Sequence, residues 1–352
     1  MRVAQVLGAH AKSAFKKLAF LESTFIGETM SKKYAFLFPG QGAQTPGMIK
    51  DVAQEFSSAK KVLDDVSSIS GIDVPKLLWE SDAATLSRSD NSQLAITAAS
   101  LAICAVLKEK GIEPSAAMGF SLGEFPALYI SGVLSFEDVV KVVVQRGKIM
   151  QEVCEKIAAE NQGHAPGMSA ILGLPPEKVI EIASKIPDAY AANLNSSVQT
   201  VISGTFDALE KAEAAAKEAG ARRAVRLAVA GPFHCPLMSL AAEKFEQAIS
   251  PVKFDDPKIT LFSNVSGKQE TSGENAKKSA VLHLTNPVRW TDEEAVLAQL
   301  IQAGKSNGEE WNVFEPGPGQ VLSGLWAKTE LGAELKCVPL NSAESLNSFL
   351  GN

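Results

Sequence analysis

The stretch "AAMGFSLGEF", residues 116 to 125, sets a serine between two glycines at the end of a small apolar run. Such a pattern fits a strand that turns directly into a helix, because glycines on both sides keep Cβ atoms from colliding at a sharp corner. A nucleophile elbow of this kind exposes the Ser121 hydroxyl beside the first free N–H groups of the helix. There the positive end of the macrodipole favours a developing negative charge. A loop serine is the alternative reading, since G-x-S-x-G also arises by chance. The rest of the chain has to separate the two.

The 352 residues, 45% hydrophobic and 21% charged, suit one large globular domain or a domain with an inserted unit. A formal net charge of -6 argues against general nucleic-acid binding, which needs a basic surface to displace phosphate counterions. Cys104, Cys154, Cys235 and Cys337 lie far apart without a C-x-x-C pair, which suggests neither a zinc site nor a disulfide framework and fits a reducing cytoplasm. The sequence reads as lacking an apolar run near the ~20 residues that span a bilayer, so no membrane association is expected. Residues 1–31 differ from the rest: Lys and Arg outnumber acids there. Targeting segment, disordered tail and sequence upstream of a true start at Met30 all compete, and the strand pattern directly after Met30 favours the last.

"KYAFLF", stopped by Pro39 and Gly40, reads as a buried parallel strand. "SQLAITAASLAICAVLKEKG" has helical apolar spacing and a closing Gly111. This alternation implies an α/β core. In "SFEDVVKVVVQRGKIMQEVCEKIA", Ser135 and Asp138 form a capping box, and Val139, Val143, Met150 and Val153 make one apolar stripe. From about 167 the order becomes strand, helix, strand, strand, helix, strand, which is that of a ferredoxin-like unit. The expected organisation is therefore a large α/β domain over 32–159 and 229–352, with a ferredoxin-like subdomain inserted at 160–228.

A serine nucleophile needs a base. His10 falls in the N-terminal extension and His164 in a polar connection, leaving His234 in "AVAGPFHCPLM" and His283 in "VLHLTNPVRW". His234 follows the last strand of the small unit, at the kind of junction where clefts form; either ring could instead be structural. Arg146 lies in the middle of an apolar helix face and needs an anion, because burial of an unpaired guanidinium is costly. That anion is an internal carboxylate or a substrate carboxylate held bidentately. The loop "FPGQGAQTPG" lacks the Lys and Ser/Thr of a P-loop, and Thr45 stands where a dinucleotide fingerprint has its third glycine. Its better use is to aim backbone N–H groups at an oxyanion.

Taken in order, "FPGQGAQ", "GFSLGE", "QRGKIM", "NLNSSVQTVISG", "GPFHCPLM", "NPVRW" and "EPGPGQVLSGL" resemble the malonyl-CoA:acyl carrier protein transacylase family over essentially all of 33–340. The resemblance implies an α/β-hydrolase-like domain with a ferredoxin-like insert. It implies Ser121 as nucleophile, His234 as base and later acid, and Arg146 as clamp on the malonyl carboxylate. The backbone N–H groups of Gln41 and Leu122 would form the oxyanion hole, with Gln93 and Asn195 lining or supporting the site. It further implies ping-pong transfer from malonyl-CoA to the phosphopantetheine thiol of acyl carrier protein, for fatty acid synthesis, by a cytoplasmic monomer with no bound cofactor and no metal. "GARRAVR" supplies Arg222, Arg223 and Arg226 as a basic patch for an acidic carrier.

Three departures from the family pattern stand out. Phe120 precedes the nucleophile where His is common. Pro126 lies early in the elbow helix, where its ring could crowd the Leu122 carbonyl. His283 takes a position often held by Gln, whose backbone carbonyl orients the catalytic imidazole. Two rival readings remain. Ser121, Asp256 and His283 follow the Ser, acid, His order of an α/β-hydrolase esterase or thioesterase, and a catalytically silent carrier-binding module is the other.

Overall fold

The computed structural model describes residues 31–161 and 164–351. The extension at 1–30, with His10 and the start at Met30, lies outside the described residues. In chain order the strands are β1 (Ser31–Phe38), β2 (Ala116–Gly119), β3 (Gly167–Leu172), β4 (Ala189–Ser196), β5 (Gln199–Gly204), β6 (Arg223–Arg226), β7 (Thr260–Ser263), β8 (Lys268–Glu270), β9 (Glu309–Pro316) and β10 (Cys337–Leu340).

A six-stranded sheet runs β10-β9-β1-β2-β7-β8. All neighbours in it are parallel except β7 and β8. The fold is thus mixed α/β with a parallel-rich sheet, as strand and helix alternation predicts. Ala35, Phe36, Leu37 and Phe38 of β1 are all buried, which is why this strand reads as a continuous apolar run rather than an alternating one. β2 is short and wholly buried. It lies between β1 and β7 and delivers the chain to Phe120 and Ser121.

Helices cover this sheet. The Ser89–Glu109 helix is long and apolar enough, by length and composition, to cross a membrane, which corrects the reading that no such run exists. Its apolar window is 83% buried inside the fold, however, and it packs as a core helix against the Phe136–Asn161 helix. The two approach closely at Gly147, where a Cβ would stand 2.7 Å from the Ser89 carbonyl oxygen. The start of the Phe136–Asn161 helix forms half of the expected capping box. The Ser135 hydroxyl accepts from the Asp138 N–H at 3.0 Å and donates to its carboxylate at 2.6 Å, so the acid never reaches back to the N-cap backbone.

Residues 167–226 build a second, antiparallel sheet in the order β4-β5-β3-β6. Helices Pro176–Ser184 and Phe206–Glu218 bury Val179, Ala183, Leu209 and Ala212 against Ile171 and Ile202. β6 is shorter than "RRAVRLAV" predicts: it ends at Arg226, Leu227 keeps one bond to the Met168 carbonyl at 2.9 Å, and the chain then leaves the sheet. Outside the strands, the segment before the Trp290–Ser306 helix is joined to β4 at Val288. Its N–H donates to Ala192 and its carbonyl accepts from Leu194, both at 2.9 Å.

Candidate active site

Ser121 opens a one-turn 3-10 helix directly after β2 and has φ +52°. That left-handed backbone is uncommon for a residue with a side chain, and here it turns the serine out at the corner. The flanking glycines have a steric cause. A Cβ on Gly119 would run into the Gly123 carbonyl, and one on Gly123 into the carbonyl of Phe38 on β1. Pro126 does not disturb the corner. It is the third residue of the Glu124–Ile130 helix, within the first turn, where helix N–H groups have no intrahelical acceptor. The Leu122 carbonyl is instead engaged by the Glu124 N–H.

His234 reaches this corner from the loop after the small sheet, with φ +60°. Its Nε2 lies 2.9 Å from Ser121 Oγ, and its Nδ1 lies 2.8 Å from the His283 carbonyl oxygen. A carbonyl can only accept, so Nδ1 carries the proton and Nε2 of the neutral ring faces the serine as an acceptor. Burial pushes the His234 pKa down to about 4, with the nearby Arg146 charge acting in the same sense. The ring is therefore neutral at pH 7.

His283 contributes its main chain to this pair. Its ring is fully buried 4.9 Å from the His234 ring, and neither ring nitrogen has a hydrogen-bond partner. Glu124 Oε2 stands 3.6 Å from His283 Nδ1. Burial lowers the imidazole pKa well below its usual value and raises that of the carboxyl to about 8, so both groups are held toward their neutral forms. Asp256 accepts the Gly273 N–H at 2.9 Å and caps a helix. The Ser121, Asp256, His283 order thus does not assemble as a hydrogen-bonded triad.

Arg146 is 1% exposed. Its Nη1 donates to Gln93 Oε1 at 2.9 Å, while Nε and Nη2 have no partner. Those two N–H groups lie along one edge of the guanidinium, the edge that Arg88 uses to grip Asp90 at 3.2 and 2.9 Å on this same protein. The group lies over the Phe125 ring at 5.2 Å. Burial lowers its pKa to about 10, leaving it charged at pH 7. Arg146 is therefore a fixed cation whose Nε and Nη2 edge meets no acceptor within the protein, an edge whose geometry suits a carboxylate.

A cavity of about 200 Å³ joins these groups; Gln41, Ser121, Arg146, Met150, Asn195 and His234 are among its lining residues. Gln93 is fully buried and holds Arg146 from behind rather than lining the cavity. Asn195 faces it, with Oδ1 unpartnered. Leu122, buried, is the second residue of the 3-10 turn, so its N–H has no intrahelical acceptor. A larger cavity of about 520 Å³ near Ser196 and Glu294 contains neither serine–histidine pair nor arginine; chemistry, not size, selects the smaller. His164 stacks edge-on against Phe206 at 4.8 Å. Among the described residues, no three His, Cys, Asp or Glu side chains cluster as a metal site would.

Sequence reasoning missed the polar layer under the serine. Asn264, fully buried just past β7, accepts the Ser121 N–H through Oδ1 at 2.7 Å and donates through Nδ2 to the Gly119 carbonyl at 2.7 Å and Glu293 Oε1 at 2.9 Å. Its own N–H donates to Glu124 Oε2 at 3.2 Å. The available signal was an asparagine closing the apolar strand "KITLFSN", where a polar side chain must find partners inside. Asn193, beside Asn195 on the cavity wall, was missed as well.

Known proteins resemble this chain over nearly its whole described length. The family model described as Acyl transferase domain matches residues 35–304. The malonyl CoA-acyl carrier protein transacylase of Haemophilus influenzae is 38% identical over 325 residues, covering 90% of this chain and 98% of that protein. The Bacillus subtilis transacylase is 37% identical over 318 residues, covering 89% and 95%. An acyl carrier protein S-malonyltransferase from Vibrio cholerae superposes with a TM-score of 0.79 at 33% identity, covering 90% of this chain and 100% of the other. A malonyl-transacylase solved in complex with its type II PKS acyl-carrier protein gives 0.80 at 34% identity, covering 91% and 100%.

Proposed function

Because the chain belongs to the malonyl-CoA:acyl carrier protein transacylase family, we propose that its cleft transfers malonyl from malonyl-CoA to acyl carrier protein with Ser121 as the acyl-bearing residue. The observation that carries this reading is the Ser121 Oγ to His234 Nε2 contact of 2.9 Å beside a buried arginine whose carboxylate edge is free.

Arg146 takes the malonyl carboxylate through Nε and Nη2, which sets the thioester carbonyl against Ser121. Neutral His234 accepts the serine proton as Oγ attacks that carbonyl. Its other nitrogen stays fixed on the His283 carbonyl. The N–H groups of Leu122 and Gln41 receive the oxyanion. Collapse expels the coenzyme A thiolate, which takes the proton back from His234 and leaves malonyl on Ser121 as an ester. The phosphopantetheine thiol of the carrier then attacks that ester, again with His234 as base, and Ser121 recovers its proton. Gln93 keeps the arginine oriented, and Asn195 supports the acyl group from the cavity wall. No step calls for a metal or a bound cofactor; malonyl-CoA is a substrate, and the phosphopantetheine belongs to the partner protein.

The order β4-β5-β3-β6 with helices between supports a ferredoxin-like unit at 160–228, inserted into an α/β-hydrolase-like domain made of 32–159 and 229–352. Four buried free cysteines support a cytoplasmic setting. The pathway is fatty acid synthesis, and the working unit is a monomer. The esterase reading is disfavoured by an Asp256 that caps Gly273 and a His283 ring without partners. Incubation with malonyl-CoA, followed by intact-mass measurement with and without carrier protein, tests the proposal. Expected is a malonyl adduct on the protein that disappears only when carrier is added. Free malonate produced without carrier, at the same rate as with it, would establish a hydrolase instead.

A further inference from the structure

β2 and β7 are paired in parallel at Ala116 with Thr260 and Ala117 with Leu261. β7 ends at Ser263, and the chain turns away toward β8. A parallel ladder joins a residue to its neighbour strand through the carbonyl before it and the N–H after it. At the elbow no backbone neighbour supplies the partners for Gly119 C=O and Ser121 N–H. The Asn264 side chain supplies both, donating from Nδ2 to Gly119 and accepting at Oδ1 from Ser121, each at 2.7 Å. Its carboxamide has the donor and acceptor of a peptide bond and brackets Phe120 as a strand residue would.

We infer that Asn264 is the positioning residue of the nucleophile: its carboxamide extends the sheet ladder one step through the elbow and fixes Ser121 in the left-handed backbone from which Oγ meets His234. A non-glycine residue at φ +52° persists only where its surroundings over-determine it. Here the restraints are steric at Gly119 and Gly123 and directional at Asn264. Asn264 is itself held from two sides, by Glu124 Oε2 at its N–H and Glu293 Oε1 at Nδ2. Those carboxyls come from the helix that follows the serine and from the helix after Trp290. One asparagine thus ties the elbow to the end of β7 and to the helix that begins at Trp290.

The inference rests on Ser121 being the residue that is acylated, and the test separates the two. Single-turnover acylation by malonyl-CoA is followed in wild type, Asn264→Ala, Asn264→Asp and Ser121→Ala, with melting temperatures measured in parallel and kinetics recorded well below them. Loosening the serine by a fraction of an ångström should slow acylation on the order of 10²-fold while leaving the half-saturating malonyl-CoA concentration nearly unchanged. Asn264→Asp keeps the size of the side chain; at a pH where its carboxyl is ionised it cannot donate to Gly119, so there it should share the rate defect. Wild-type acylation in both Asn264 variants, or a lower melting temperature with no change in rate, would overturn the positioning role. A malonyl adduct surviving in Ser121→Ala would sink the nucleophile assignment itself.

Discussion

Arg146 gives one N–H to Gln93 and keeps two in reserve. The 2.9 Å contact from Nη1 to Gln93 Oε1 fixes the plane of the guanidinium, and a second contact from Gln93 Nε2 to Met150 Sδ at 3.1 Å fixes the glutamine. The Nε and Nη2 edge is left buried and unpaired. A buried cation short of acceptors costs stability unless something fills the gap. On the proposed reading a malonyl carboxylate would do so, whereas an acetyl group has no charge or second oxygen to offer.

Selectivity should therefore follow Arg146. Arg146→Ala is expected to cut kcat/KM for malonyl-CoA by ~10²-fold or more and to narrow or invert the preference over acetyl-CoA, since sites built around a buried polar pair reject analogues that leave it unpartnered. Lysine should restore activity only in part, lacking the planar two-bond edge. Equal proportional loss with both thioesters would reduce Arg146 to a structural role.

The two histidines should behave differently. His234→Ala removes the group at 2.9 Å from Ser121 Oγ and should slow acylation by the ~10²–10⁴ typical of general-base loss. His283→Gln keeps the backbone carbonyl that orients His234 and gives a buried position side-chain donors and an acceptor, so a mild effect is expected. The reverse ranking would return the esterase order of residues to consideration.

Burial sets the pH response. With the His234 pKa near 4, kcat/KM for malonyl-CoA should stay level down to about pH 5 instead of falling through 6.5. Stability should be lost on both sides of neutrality. Between about 4 and 6.5 the unfolded chain binds a proton at His234 that the fold refuses, so stability drops as pH falls through that window. Glu294, raised to about 8 by burial, works in the opposite direction. Its contribution is complete below the unfolded carboxyl value near 4.5 and is lost as pH rises toward and through 8. Melting temperatures from pH 4 to 9 should flatten on the alkaline side in Glu294→Gln; an unchanged alkaline slope would refute this account.

Carrier binding should be separable from acylation. Arg222 and Arg223 are exposed at the start of β6, and past the end of that strand the chain continues through Leu227, Ala228 and Val229 at the cavity wall. Arg226 is already committed to Glu213 at 2.8 Å. Reversing charge at Arg222 and Arg223 should raise the KM for carrier several-fold at low salt and leave self-acylation by malonyl-CoA intact. An unaltered KM would move the docking surface elsewhere.

The elbow, the arginine in an apolar stripe and the strand order of 167–226 were legible because each breaks or obeys a local periodicity. Gly119 and Gly123 announce a corner, and Arg146 interrupts Val139, Val143 and Met150. Asn264 left only the faint signal of an asparagine closing an apolar strand, which reads equally as an ordinary turn residue, and its partners lie 143 and 145 positions away in sequence. The unpaired His283 ring was equally hidden, since spacing says nothing about which nitrogen finds an acceptor. The Ser89–Glu109 helix is a further case: the sequence reading finds no run that approaches spanning length, yet the helix is long and apolar enough to span. Hydropathy alone does not distinguish a core helix from a spanning one, and the neighbours that cover it are known only from the fold.

Ser121 and His234 both occupy left-handed backbone, at φ +52° and +60°. A glycine would adopt either conformation without the ~1–2 kcal/mol that an L side chain incurs there. The backbone at these two residues is thus a local cost, which their side-chain contacts have to offset. Ser121→Gly should melt above Ser121→Ala even though glycine loosens the unfolded chain more, and a combined Ser121→Gly, His234→Gly protein should recover part of what its lost contacts remove. Backbone strain at the two positions therefore pulls toward glycine, while the hydrogen bonds of the Ser121 and His234 side chains pull the other way.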